Sequence, residues 1–177
     1  MTTYLQYHAI SQEIQNMPQM ALESVSYGIW NAILSVQFPV PDGYIVRSQD
    51  RHTPQPGRHG YSDFHVFHYR ANATNAVKFL IVQCKRPGTE NWDSVWATAV
   101  DQLNEYLSAT HGNRPPAARS PVYGIAAVGR ATQFYKYNDI KQEVSPWKLR
   151  GMRKDVLDLK GDAVRIQQML DHIRDNH

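Results

Sequence analysis

A chain of 177 residues, 42% of them hydrophobic, is long enough for one well-packed core and lies far from compositions that stay disordered, so a single domain spanning residues 1–177 is predicted. The only cysteine, Cys84, excludes an intramolecular disulfide and a Cys-rich zinc site, and "MTTYLQYHAISQEIQ" lacks the basic start and apolar core of a secretory leader. No run approaches membrane-spanning length, so a soluble, intracellular protein is predicted, with cytoplasm and nucleus not distinguished. The net charge of +3 is unevenly spread: residues 1–46 hold no Lys or Arg, whereas seven fall between Arg47 and Arg86 and five between Lys141 and Lys154. Such patches suit a polyanion, although on charge alone a solvated face is the commoner explanation.

In chain order, "TTYLQYHAISQEIQNM" and "PQMALESVSYGIWNAILSVQF" predict two helices that part near Met17, with Pro18 as the first residue of the second. Leu22, Val25, Ile29, Ile33 and Val36 recur at helical spacing and predict its core stripe. "YIVRSQ" predicts a strand, and "DRHTPQPGRHG" an irregular Pro/Gly/His/Arg loop. "YSDFHVFHYR" and "AVKFLIVQCKR" then predict two strands turned by "ANATN", completing a three-stranded meander. "NWDSVWATAVDQLNEYLSATHG" predicts a helix lying across that sheet, with Trp92, Trp96, Ala99, Leu103 and Leu107 on one face. "PVYGIAAVG" predicts a buried strand and "RATQFYKYND" an edge strand; "VSPWKLRGMRKDVLDLK" has no clear period. "GDAVRIQQMLDHIRDNH" predicts a C-terminal amphipathic helix with Val164, Ile166, Leu170 and Ile173 inward. The order α-α-β-β-β-α-β-β-α makes an α/β sandwich around a mixed sheet.

The chemistry gathers at one sheet end. Residues two apart on a strand share a face, so Gln83 and Lys85 project together while Cys84 faces away, and antiparallel pairing brings Asp63 beside them. A carboxylate, a second oxygen ligand and a lysine suit phosphodiester cleavage: the oxygens hold a hard cation, and the lysine orients water or stabilises developing phosphorane charge. His52, His59, His65 and His68 do not make a zinc site, because residues 65 and 68 point to opposite strand faces and the loop histidines lack ligand spacing; His65 does share a face with Asp63.

From the Glu23 helix through "SDF", "FLIVQCKRP" and "WDSVWATAVDQLNEYL" to "VYGIAAVG", the chain resembles the PD-(D/E)XK nuclease superfamily. That resemblance covers most of the chain and implies a restriction-endonuclease-like three-layer sandwich, with a central mixed sheet and helices on both sides. It implies that Asp63, Gln83 and Glu23 hold Mg²⁺ or Mn²⁺, that Lys85 acts on the nucleophile or transition state, and that Gln102 and Tyr106 support them as a Q-x-x-x-Y pair like that of recombination exonucleases. Gln83 departs from the family, which usually has Asp or Glu there; an amide oxygen ligates without charge, so metal affinity and activity should fall. Ser62 stands where the motif proline would be. The implied function is a metal-dependent deoxyribonuclease, with a nuclease-fold domain that binds nucleic acid or a protein partner without turnover as the alternative. The implied partner is nucleic acid, DNA in preference, gripped by Arg47, Arg51, Arg58, Arg86 and Arg130 with Lys136; oligomeric state is left open, although many nucleases of this fold form homodimers to cut both strands. Trp92 and Trp96 are read as core residues rather than base-stacking platforms.

Overall fold

The computed structural model of the chain describes residues 2–55, 58–71 and 74–177, with backbone alone for 50–55 and 58–61. A single turn of 3-10 helix at Tyr4–Gln6 leads into helix α1 (His8–Asn16), followed by α2 (Glu23–Gln37). Strands β1 (Tyr44–Gln55), β2 (Arg58–His68) and β3 (Val77–Lys85) form an antiparallel meander. Helix α3 (Asp93–His111) crosses over to β4 (Tyr123–Val128), which pairs parallel to β3. β5 (Ala131–Asn138) returns antiparallel to β4, and its other edge carries both β6 (Glu143–Pro146) and β7 (Val156–Asp158) before α4 (Ala163–Asp175) ends the fold. The seven strands make one mixed sheet in the order β1-β2-β3-β4-β5-β6, with β7 beside β5.

Strand alternation divides the sheet between two cores. Phe64, Val66, Leu80, Val82, Cys84, Tyr123, Ile125, Ala127 and Phe134 face a layer built by α1, α2 and α4. Ile81, Ala126, Tyr135 and Tyr137 face α3, through Ala99, Leu103, Tyr106 and Leu107. Helices on both faces bury both sides of the central strands, which is why β4 is apolar at every position. Among the described residues, no helix is long and apolar enough to cross a membrane.

Several local expectations change. Residues 50–55 and 58–60, expected to belong to an irregular loop, instead continue the hairpin: β1 and β2 stay paired out to Gln55 opposite Arg58. Mutual pairing supplies the backbone hydrogen bonds that composition did not advertise, and Pro54 is tolerated because β1 is an edge strand. β5 is no edge strand; Phe134 and Tyr135 are both buried, one on each face, because β6 and β7 from the segment without clear period cover its outer side.

The helices are rotated from the expected stripes. Helix α2 starts at Glu23, not Pro18, so Leu22 is left at the cap, 77% exposed, and Val36 also faces out. The buried row is Ser26, Ile29, Trp30, Ile33, Leu34 and Gln37, turned so that the largest side chain, Trp30, is inside. Val164 is half-exposed on α4, where Met169 and Gln167 join Ile166, Leu170 and Ile173 in the buried row. Trp92 is 53% exposed because it precedes the first turn of α3 instead of lying on its inner face.

The loop before α2 is docked on the loop after β3. Gly88 has φ +83°, and a Cβ placed on it would overlap the backbone carbonyl oxygen of Gln19. Gly88→Ala therefore combines left-handed strain with a backbone clash, and its expected cost exceeds about 1 kcal/mol. The urea midpoint should fall with the slope unchanged; an unchanged midpoint would show that the two loops do not rely on this approach.

Candidate active site

Strands β2 and β3 part where the polar residues stand. Towards this end, the last paired residues of their ladder are Phe64 and Val82. One step further, a side chain replaces the main-chain ladder: Asp63 Oδ2 accepts the Cys84 backbone N–H at 2.6 Å and Gln83 Nε2 at 2.9 Å. On the other flank, Gln49 lies between the pairs Ser48–Phe64 and Asp50–Ser62 with φ 52°, a left-handed conformation at the position facing Asp63.

The period of two then sorts the end of β3. Cys84 is fully buried in the core under α2, and burial pushes its thiol pKa up, which makes it a packing residue and not a nucleophile. Gln83 and Lys85 turn to the α3 face, where Lys85 Nζ donates to Gln102 Oε1 at 2.6 Å. One turn further along α3, Tyr106 is 5% exposed and packs into the core of that face. Glu23, read by resemblance as a site residue, is exposed because it is the first residue of α2. Its charge still reaches Asp63.

These surroundings set the ionisation of Asp63. Burial is the largest influence and pushes its pKa up to about 6; the Cys84 N–H and the Lys85 ammonium oppose the rise, and Glu23 adds to it. Gln83 is 4% exposed, and with its Nε2 committed to Asp63 its Oε1 has no hydrogen-bond partner. A buried carbonyl oxygen without a donor costs roughly 1–3 kcal/mol, so its place beside a carboxylate is a functional clue. An acceptor pair of this kind fits a hard cation. Among the described residues, no group of three His, Cys, Asp or Glu side chains is placed to hold a metal ion. His65 is fully buried with its ring against Phe67, and His68 bonds His177 at 2.9 Å and stacks on Tyr44.

The basic residues are dispersed. Arg47 lies over the Phe67 ring at 4.1 Å and donates to the Tyr69 hydroxyl. Arg86 follows Lys85 and sits 5.7 Å from the centre of the exposed Trp92 ring. Arg130 directs its guanidinium to the carbonyls of Gln15 and Met17 at the end of α1, a clamp on that helix. Lys136 is exposed on β5 with Nζ 5.9 Å from the Tyr123 ring centre. The side chains of Arg51 and Arg58 lie outside the described residues. The Cys84 N–H and the unpartnered Gln83 oxygen are the features that residue types alone did not reveal; both depend on how β2 and β3 separate.

A mixed sheet sandwiched between helices, with its polar cluster at the parting of two meander strands, is a restriction-endonuclease-like fold. Compared by sequence, the chain matches no family model and no curated protein. Compared by structure, 97% of the chain superposes with a TM-score of 0.53 and 11% identity on a chain from a cryo-EM structure of a DrdV–DNA complex. The superposed part is 14% of that larger chain. At this identity the likeness is one of fold.

Proposed function

We propose that this chain is a metal-dependent nuclease of the PD-(D/E)XK type that hydrolyses phosphodiester bonds in DNA. The observation that carries the reading is the pairing of the Asp63 carboxylate with a buried, unpartnered Gln83 oxygen, next to an ammonium held by Gln102. The restriction-endonuclease-like fold supports it, as does a structural neighbour that is itself a DNA complex.

In this reading Asp63 and Gln83 would hold Mg²⁺ or Mn²⁺, with Glu23 as a further contributor. A divalent cation bound there supplies Lewis-acid charge at the phosphoryl oxygen and lowers the pKa of water. The protein does the positioning. The Cys84 N–H and Gln83 amide fix the rotamer of Asp63, and Gln102 fixes the Lys85 ammonium, which offers its remaining protons to the attacking water or to phosphorane charge. Arg86 and Trp92, at the same strand end, supply a phosphate contact and a ring face for a base. Cleavage of plasmid and single-stranded DNA should require Mg²⁺ or Mn²⁺ and fall by at least about 100-fold in Asp63→Ala and Lys85→Ala; equal cleavage by all three proteins would overturn the mechanism.

One observation favours a second reading, in which the fold binds nucleic acid without cutting it. The Gln83 amide already gives Asp63 a neutral hydrogen-bonding partner where most of the family has a second carboxylate, so the site is partly satisfied without metal. Calorimetry with Mn²⁺ separates the two readings: no heat of binding, combined with salt-sensitive DNA binding, would select the second.

A further inference from the structure

At the other end of the sheet, where β3 begins and α3 ends, lies a pocket of about 520 Å³. Arg70 enters it from the turn after β2, Lys78 from β3, Thr110 and His111 from the last turn of α3, and Arg114 and Arg119 from the loop that follows. No acidic side chain is among the described residues lining it. Lys78 and Lys85 stand seven residues apart on one strand, roughly 23 Å at strand rise, so this pocket is separate from the Asp63 cluster.

The pocket is built, and only part of its charge is neutralised. Arg114 is fixed by Asp139, accepting its Nε at 3.1 Å and its Nη2 at 2.7 Å, and by the Ser120 carbonyl. Arg119 Nε donates back to the Arg114 carbonyl and keeps its charge, whereas Arg70 Nη2 donates to the main-chain oxygen of His177, the last residue, whose terminal carboxylate offsets it. Lys78 lies over the Phe67 ring at 5.5 Å. Against four basic side chains stand Asp139, the His177 carboxylate and the carbonyl end of α3, the last worth about half a negative charge. The surplus is about one to two positive charges focused in a concavity, which raises the local concentration of anions.

We infer that this pocket binds a phosphate group, taken from a small phosphorylated ligand or from a nucleic-acid backbone. The guanidinium N–H groups left over on Arg70 and Arg119 suit phosphate oxygens, and the Lys78 ammonium adds a point charge. The volume lies within the range of small-ligand sites and accommodates a pyrophosphate or nucleotide-sized group. The inference does not rest on the nuclease reading, since none of these residues belongs to the Asp63 cluster.

The test is calorimetric titration of the full chain in metal-free buffer with pyrophosphate and, separately, with a short single-stranded oligonucleotide. Lys78→Ala/Arg119→Ala removes two exposed side chains, and Arg150→Ala/Lys160→Ala removes the same charge elsewhere on the surface. Pyrophosphate binding should weaken at least 10-fold in the first double variant and less than 2-fold in the second. Loss of pyrophosphate with the oligonucleotide unaffected assigns the pocket to small phosphorylated ligands; loss of both assigns it to a backbone phosphate. No pyrophosphate binding by the wild type, equal losses in both double variants, or loss of the oligonucleotide alone would overturn the inference, because each describes a diffuse basic surface and not a pocket.

Discussion

Asp63→Asn should melt at a higher temperature than the wild type at pH 8 in metal-free buffer, while losing the cleavage activity proposed above. The carboxylate is held in a largely desolvated position, and burial raises its pKa to about 6 from 3.8. Between pH 4 and pH 6 the native state keeps a proton that the unfolded chain has released, so unfolding free energy falls as pH rises through that window and stays low above it. A shift of this size corresponds to about 3 kcal/mol, reduced to on the order of 2 kcal/mol by residual solvent access. An asparagine carries no charge to bury, and its side-chain oxygen can still accept the Cys84 N–H and the Gln83 amide. The gap between variant and wild type should be near zero at pH 4 and reach roughly 5 °C by pH 8, measured by scanning calorimetry. A gap independent of pH, or a variant less stable at pH 8, would show that the Asp63 charge is not strained. Mn²⁺ should then raise the melting temperature of the wild type and have much less effect on that of Asp63→Asn, because the variant lacks the buried carboxylate proposed to hold the cation. The same charge that destabilises the free protein is what a cation needs, a trade of stability for function common at active sites.

Gln83→Glu makes the complementary change. It adds a second negative oxygen at the parting of β2 and β3 and removes the amide that now donates to Asp63. Without metal, two carboxylates adjoin in a buried position, so the variant should lose roughly 1–3 kcal/mol at neutral pH and Asp63 should titrate at still higher pH. With Mn²⁺ the sign reverses: affinity should rise at least 10-fold by calorimetry, since ligand charge dominates binding of hard cations. If the chain is a working nuclease, cleavage should be detectable at lower metal concentration. Unchanged Mn²⁺ affinity would mean that position 83 does not face the cation, and the assignment of Gln83 as a ligand would be abandoned.

Much of the site was legible in residue types and spacing because a strand has a period of two. "FLIVQCKRP" places Gln83 and Lys85 on one face and Cys84 on the other, and the fold keeps that division: Cys84 is buried under α2, and Lys85 reaches Gln102 on α3. Helical spacing likewise located α2, α3 and α4, but not which row turns inward. Leu22, Val36, Trp92 and Val164 fit an apolar stripe by periodicity, yet all four are exposed, because helix ends and the packing of neighbours such as Trp30 set the rotation. The strand pairing of residues 50–55 with 58–62 was hidden, since each segment looks irregular until the other supplies its hydrogen bonds.

By itself, the sequence determined the order of the major elements, the alternation that assigns faces along β2 and β3, and the residue types gathered at one sheet end. These follow from local geometry, which repeats every two residues in a strand and every 3.6 in a helix. Only the tertiary structure decided that β2 and β3 separate beyond Phe64 and Val82, that the Cys84 N–H and Gln83 amide converge on Asp63, and that the Gln83 oxygen is left without a donor. It also decided that Arg130 clamps α1 and that Arg70, Lys78, Arg114 and Arg119 meet in one pocket. Such contacts join residues far apart in the chain, and burial, which sets the charge state of Asp63, belongs to the packed molecule and to no segment of it.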